Sequence, residues 1–82
     1  MSAPPRIQAI VQEIARAHEV PEHDIWGEAS YRQAQDARMA CYRAAYSAPK
    51  PNGKQPTVSE VARWFGKSWT AINHALSKKD AA

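Results

Sequence analysis

Apolar side chains recur along this chain at intervals of three and four and never alternate strictly with polar ones, so the pattern predicts helices and no strand. Ile7, Ile10, Val11 and Ile14 share one face, while Arg6, Gln12, Glu13 and Arg16 turn outward. A first helix is therefore expected from about Arg6 to Glu19, ended by Pro21. Glu22 to Gly27 reads as a short helical turn, with Pro21 serving its start and Gly27 taking a left-handed conformation to close it. Its apolar pair, Ile25 and Trp26, is expected to plug the space between the first helix and the next.

Ser30 is placed to cap a long helix that reaches about Ser47. Ala34, Ala37, Cys41, Ala44, Ala45 and Ala48 form one stripe, and Tyr31, Met39, Tyr42 and Tyr46 widen it. Alanine favours helix and lets another backbone come close, so this helix is the expected spine. Residues 49–56 hold three prolines and an Asn-Gly pair, which preclude regular structure there. Thr57-Val58-Ser59-Glu60 is a capping box, and Val58, Val61, Ala62 and Phe65 give the buried face of a short helix stopped by Gly66. Ser68 then caps a last helix that buries Ile72, Ala75 and Leu76.

Composition narrows the picture. Of 82 residues 16 are alanine, while large core formers are few, with five Ile, four Val, one Leu and one Phe. A compact all-α domain of four to five helices is expected over 6–79, with a flexible 1–5 and a tail at 80–82. One cysteine excludes an internal disulfide and zinc sites built on paired cysteines. No apolar run approaches the roughly 20 residues of a membrane span, and Met1 to Pro5 lacks the apolar stretch of a secretory signal. A cytoplasmic, nucleoid-associated location is the expectation.

Charge is uneven. Residues 1–48 carry five basic and six acidic side chains, net −1, whereas 49–82 carry six and two, net +4. A basic C-terminal half suits a polyanion such as nucleic acid. The last two helices also meet the spacing of a helix-turn-helix over 57–78. Ala62 supplies the small residue where two helices touch, Gly66 the positive φ four positions on, and Ile72 the aliphatic residue six positions later. Thr57, Glu60 and Phe65 complete its frame.

On that reading Ser68, Trp69, Thr70, Asn73 and His74 face the major groove of double-stranded DNA, with Ser77 beyond them. Trp69 and Thr70 can touch thymine methyls and Asn73 can pair with adenine. No arginine lies on this face to grip guanine with a bidentate guanidinium. Lys50, Lys54, Lys67, Lys78, Lys79, Arg32 and Arg38 are expected on phosphates, which position without specifying.

The whole layout resembles the C-terminal DNA-binding domain of the bacterial replication initiator DnaA. The likeness runs from about Ile7 to Lys79: a first helix, an Asp-Ile-Trp-Gly turn, a long alanine-rich helix and a helix-turn-helix ending Thr-Ala-Ile-Asn-His-Ala. The family's recognition signature reads roughly Phe-Gly-Gly-Arg-Asp-His-Thr-Thr-Val-Leu-His-Ala. Phe65, Gly66, Thr70, Ile72, His74 and Ala75 match it or are conservative. Trp69 stands where the family has its base-contacting histidine and Ser68 where it has aspartate. One turn residue is missing, and the signature's arginine has no clear counterpart. The family's basic entry to the long helix, used in the minor groove, would have to be supplied here by Arg32 or Arg38. The resemblance implies the fold, DnaA C-terminal domain or Trp repressor-like, and DNA binding. Initiation is not expected from it, since no ATPase module is read in these 82 residues. A free-standing copy suggests a small phage or plasmid regulator of transcription or replication.

Other classes have less support. His18 and His23 superficially resemble a zinc-protease pair, but they stand five apart, not four, and Pro21 breaks the helix that would align them. Cys41 belongs to the apolar stripe. Neither a phosphate-binding glycine loop nor a pair of catalytic carboxylates is present, so no enzyme and no cofactor or metal are expected. The rival is a helix-turn-helix that binds a host initiator or polymerase through the acidic N-terminal half and an outward Trp64. A monomer or weak dimer is expected, pairing on DNA through Trp64 or the first helix.

Overall fold

The computed structural model describes residues 3–77, and they form five helices with no strand among them. In chain order these are α1 (Pro5–His18), α2 (Glu22–Trp26), α3 (Arg32–Ser47), α4 (Val58–Phe65) and α5 (Trp69–Ser77). The last two lysines of the expected interface, Lys78 and Lys79, lie outside the described residues. Among the described residues no helix is long and apolar enough to cross a membrane.

α3 is the spine, packing against all four other helices. Ala34, Ala37, Cys41 and Ala45 are fully buried along one row, and Tyr42 joins them. Ile7, Val11 and Ala15, at intervals of four, are the buried positions of α1, with Ile10 and Ile14 half-buried beside them. Small side chains on α3 and branched ones on α1 give complementary relief, so two short surfaces enclose a dry core. Burial pushes the Cys41 thiol up to about 12, against a smaller opposing pull from the Arg38 charge, so the sulfur is a neutral packing group.

α1 begins with Pro5 in the first turn, where the missing N–H costs nothing. Its end differs from the expectation. Pro21 does not stop it. Glu19 adopts the left-handed conformation at φ 57°, and the Glu19 and Val20 amides donate to the Arg16 and Ala15 carbonyls at 3.1 and 2.9 Å. A side chain with a Cβ is strained there, so Glu19→Gly should stabilise the chain by about 0.5–1 kcal/mol. Thermal unfolding checks this as a rise of a few degrees in Tm.

Two further expectations are corrected. Gly27 is not left-handed (φ −90°, ψ −147°); it is required because a Cβ there would lie 2.9 Å from the His23 carbonyl oxygen. Ser30 does not cap α3, which starts two residues later after Tyr31. The Tyr31 hydroxyl instead donates to the Asp24 carboxylate, and Gln35 Nε2 donates to the Ser30 carbonyl at 2.7 Å. The bond to Asp24 also raises the Tyr31 pKa. The 49–56 segment is irregular as expected, but it is tied at both ends. Lys50 and Lys54 pair through the backbone at 2.8 Å, Gly53 turns at φ 84°, Pro56 is buried, and Gln55 Nε2 reaches the Tyr46 carbonyl at 3.1 Å.

Candidate nucleic-acid interface

α4 is fixed at its start by the capping box. The Glu60 amide donates to Thr57 Oγ1 at 3.1 Å, and the Thr57 amide donates to Glu60 Oε1 at 2.9 Å. Lys50 Nζ then reaches both Glu60 oxygens, at 3.2 and 3.0 Å. The Thr57 backbone N–H, followed by Lys50, holds the Glu60 carboxyl below the usual glutamate range. This lock is complete above the ordinary glutamate pKa and is lost as pH falls through the lowered value.

α4 ends at Gly66, left-handed at φ 66°. The Lys67 amide donates to the Ala62 carbonyl at 2.9 Å and the Gly66 amide to the Arg63 carbonyl at 3.3 Å, the two bonds that terminate a helix with a glycine. Three residues, Gly66-Lys67-Ser68, separate α4 from α5. The Ser68 hydroxyl accepts the Ala71 amide at 3.4 Å and begins α5. Val61, Ala62 and Phe65 of α4 and Ile72 and Ala75 of α5 are buried, and the two helices pack on each other and on α3.

The turn has a brace that the sequence pattern does not reveal. Trp26 of α2 stacks on Phe65 with ring centroids 5.0 Å apart, and Tyr42 meets the same ring edge-on at 5.1 Å. Lys67 Nζ donates to the Gly27 carbonyl at 3.2 Å. Ile25 is buried, as a plug should be, and the half-buried Trp26 packs on the same core with its ring stacked on Phe65 of α4. α2 is itself held by Arg38. Its Nη2 donates to the Asp24 and Ala29 carbonyls at 2.6 and 2.8 Å, and its Nε to the Ile25 carbonyl at 3.1 Å. The carbonyls at the end of a helix lack intrahelical partners, and a guanidinium complements both their hydrogen bonding and their negative dipole.

Ser68, Trp69, Thr70, Asn73 and His74 are all exposed, as is Ser77. At about 100° per residue, positions 69, 70, 73, 74 and 77 share one face of α5, opposite the buried Ile72 and Ala75. An open groove of about 580 Å³ runs beside that face. Gln35, Arg38, Met39 and Tyr42 of α3 form one wall; Lys67, Ser68, Thr70 and His74 are among the residues of the other, and no carboxylate lines it among the described residues.

The expected phosphate-binding residues are placed unequally. Lys54 is exposed, and the Arg32 side chain is 91% exposed, 3.8 Å from Asp36. Lys50 is engaged by Glu60, Lys67 is half-buried against Gly27, and the Arg38 guanidinium is turned inward to its three carbonyls. Trp64 does not stand free either: it is half-buried, with the Arg6 guanidinium 5.4 Å above its ring. Among the described residues no group of three or more His, Cys, Asp or Glu side chains gathers where a metal ion could sit. No family model, curated protein or solved structure matches the chain.

Proposed function

We propose that this protein binds double-stranded DNA sequence-specifically, as a small regulator of transcription or replication, with α5 in the major groove. The observation that carries the reading is the exposed face of α5. It presents Trp69, Thr70, Asn73 and His74 together, on a helix whose other side is locked into the core. A helix of about 10–12 Å diameter fits the major groove, and reading bases needs side chains held outward on a rigid frame. The capping box, the glycine turn and the α2 brace provide that frame. The layout resembles the DNA-binding domain of DnaA, which supports the same docking. The protein-partner alternative draws on the acidic N-terminal half and an outward Trp64, and Arg6 covers that ring.

The test compares Asn73→Ala with Lys54→Ala on a selected duplex and on random duplexes across a salt series. Lys54 is the better phosphate probe than Lys67, because removing Lys67 also removes a bond to Gly27. Asn73→Ala should cost about 1–3 kcal/mol on the selected duplex and relax preference at one position. Lys54→Ala should weaken both duplexes alike and lower the salt slope by about one. If both variants bind both duplexes as the parent does, α5 is not the reading helix and a protein partner becomes the better account.

A further inference from the structure

The groove between α3 and α5 has a volume of about 580 Å³. Pockets for small organic molecules span about 300–1,000 Å³ and combine apolar walls with a few convergent polar groups. This groove has both. Ala71 and Ala75, one turn apart on α5, make a low, flat wall, and the half-buried Met39 of α3 lines the same space. Side chains as short as alanine leave the gap between the two helices open. A thioether is polarisable and packs well against an aromatic ring.

The polar groups of the groove have donors left over. Tyr42 is only 4% exposed, yet its hydroxyl makes no hydrogen bond with any described residue, whereas a buried hydroxyl ordinarily has a partner. Arg38 uses Nε and Nη2 on three carbonyls, which leaves Nη1 without a described partner. Among the described residues, the unpartnered side-chain nitrogens sealed from solvent belong to Arg6 and Arg43, so the Tyr42 hydroxyl and Arg38 Nη1 both keep contact with solvent. Lys67 Nζ carries three protons and has one bond, to the Gly27 carbonyl. All three residues line the groove, and no carboxylate does so among the described residues. Burial pushes the Tyr42 hydroxyl up to about 12, so it stays protonated and able to donate at neutral pH. The Arg38 charge pulls the other way, which sets the guanidinium near the hydroxyl.

We propose that this groove binds a small aromatic carboxylate. Its two oxygens accept from Arg38 Nη1, Lys67 Nζ and the Tyr42 hydroxyl, and its ring lies between Met39 and the Ala71–Ala75 wall. A carboxylate offers about four lone-pair sites, enough for three donors. A neutral apolar molecule would leave the two cations and the hydroxyl unpaired, and an inorganic anion would leave the alanine wall bare. The site goes beyond the DNA-binding reading and does not depend on it, since its wall on α3 and the inner side of α5 exist whether or not the outer face of α5 meets a duplex.

The test titrates the isotope-labelled chain with 2-naphthoate, and with 2-naphthamide and inorganic phosphate as comparisons. Naphthoate should shift the Met39, Ala71 and Ala75 signals and bind at least about tenfold more tightly than either comparison. Tyr42→Phe keeps the ring on Phe65 and removes only the hydroxyl; it should weaken naphthoate about tenfold and leave naphthamide unchanged. Ala71→Leu fills the groove and should abolish naphthoate binding, with helical circular dichroism confirming that both variants are folded. The proposal is overturned if millimolar naphthoate leaves those signals unmoved, or if folded Tyr42→Phe and Ala71→Leu both bind it as the parent does. Equal binding of naphthamide would make the groove a plain apolar patch, and equal binding of phosphate a plain anion site, and either result contradicts it.

Discussion

Replacing Arg38 by methionine is expected to lower the free energy of unfolding by about 3 kcal/mol. The methionine keeps much of the apolar stem, but the Asp24, Ile25 and Ala29 carbonyls lose their charged donor in a half-buried place. Hydrogen bonds to a charged group contribute about 1.5–3 kcal/mol each, and water reaching the vacated site recovers part of that loss. For a chain of this size the loss amounts to a fall of roughly 12–24 °C in Tm, enough to leave little stability at growth temperature. The salt slope of DNA binding, measured where the variant is still folded, should not change, because the guanidinium faces the protein. A drop of about one in that slope with unchanged Tm would return Arg38 to the DNA.

Ala62→Leu is expected to abolish specific DNA binding without removing any group that meets DNA. Ala62 is 5% exposed, and its carbonyl accepts the Lys67 amide that closes the turn. Three added carbons have no cavity to enter, and overpacking of this kind costs about 1–3 kcal/mol. The strain falls where α4 and α5 are joined by three residues, so the orientation of α5 gives way before the α1 and α3 core does. Helical circular dichroism should therefore survive while retention on the selected duplex is lost. Equal loss of both would show instead that α4 is needed for the whole fold.

Structure was legible in the sequence where the signal is local. Isoleucines spaced along α1, alanines along α3 and the Thr57–Glu60 box act within one turn or one face, so spacing alone reveals them. It was not legible where a distant partner decides. Ser30 is a good cap in isolation, yet Tyr31 is tied to Asp24 and Gln35 reaches back to the Ser30 carbonyl, which moves the start of α3. Glu19 rather than Pro21 ends α1, because the backbone bonds to Ala15 and Arg16 outweigh the strain of one positive φ. Gly27 answers a close approach of its own helix carbonyl, which no composition rule reports. Arg38 was not legible either, since its three carbonyl acceptors lie 9 to 14 residues back in the chain, beyond the reach of helical spacing. The exposed face of α5 was legible as a pattern. The brace behind it, from Arg38 through α2 to Phe65 and Lys67, was not, since it joins residues far apart in the chain.

The central claim is that α5 meets duplex DNA, and chemical-shift mapping tests it most directly. The isotope-labelled 82-residue chain is titrated with the selected duplex while the amide and indole signals are followed. The largest changes are expected at Ser68, Trp69, Thr70, Asn73 and His74, including the Trp69 indole, with Cys41 and Ala45 in the core nearly still. Largest changes around Trp64 and Arg6, with the α5 signals unmoved, would contradict it.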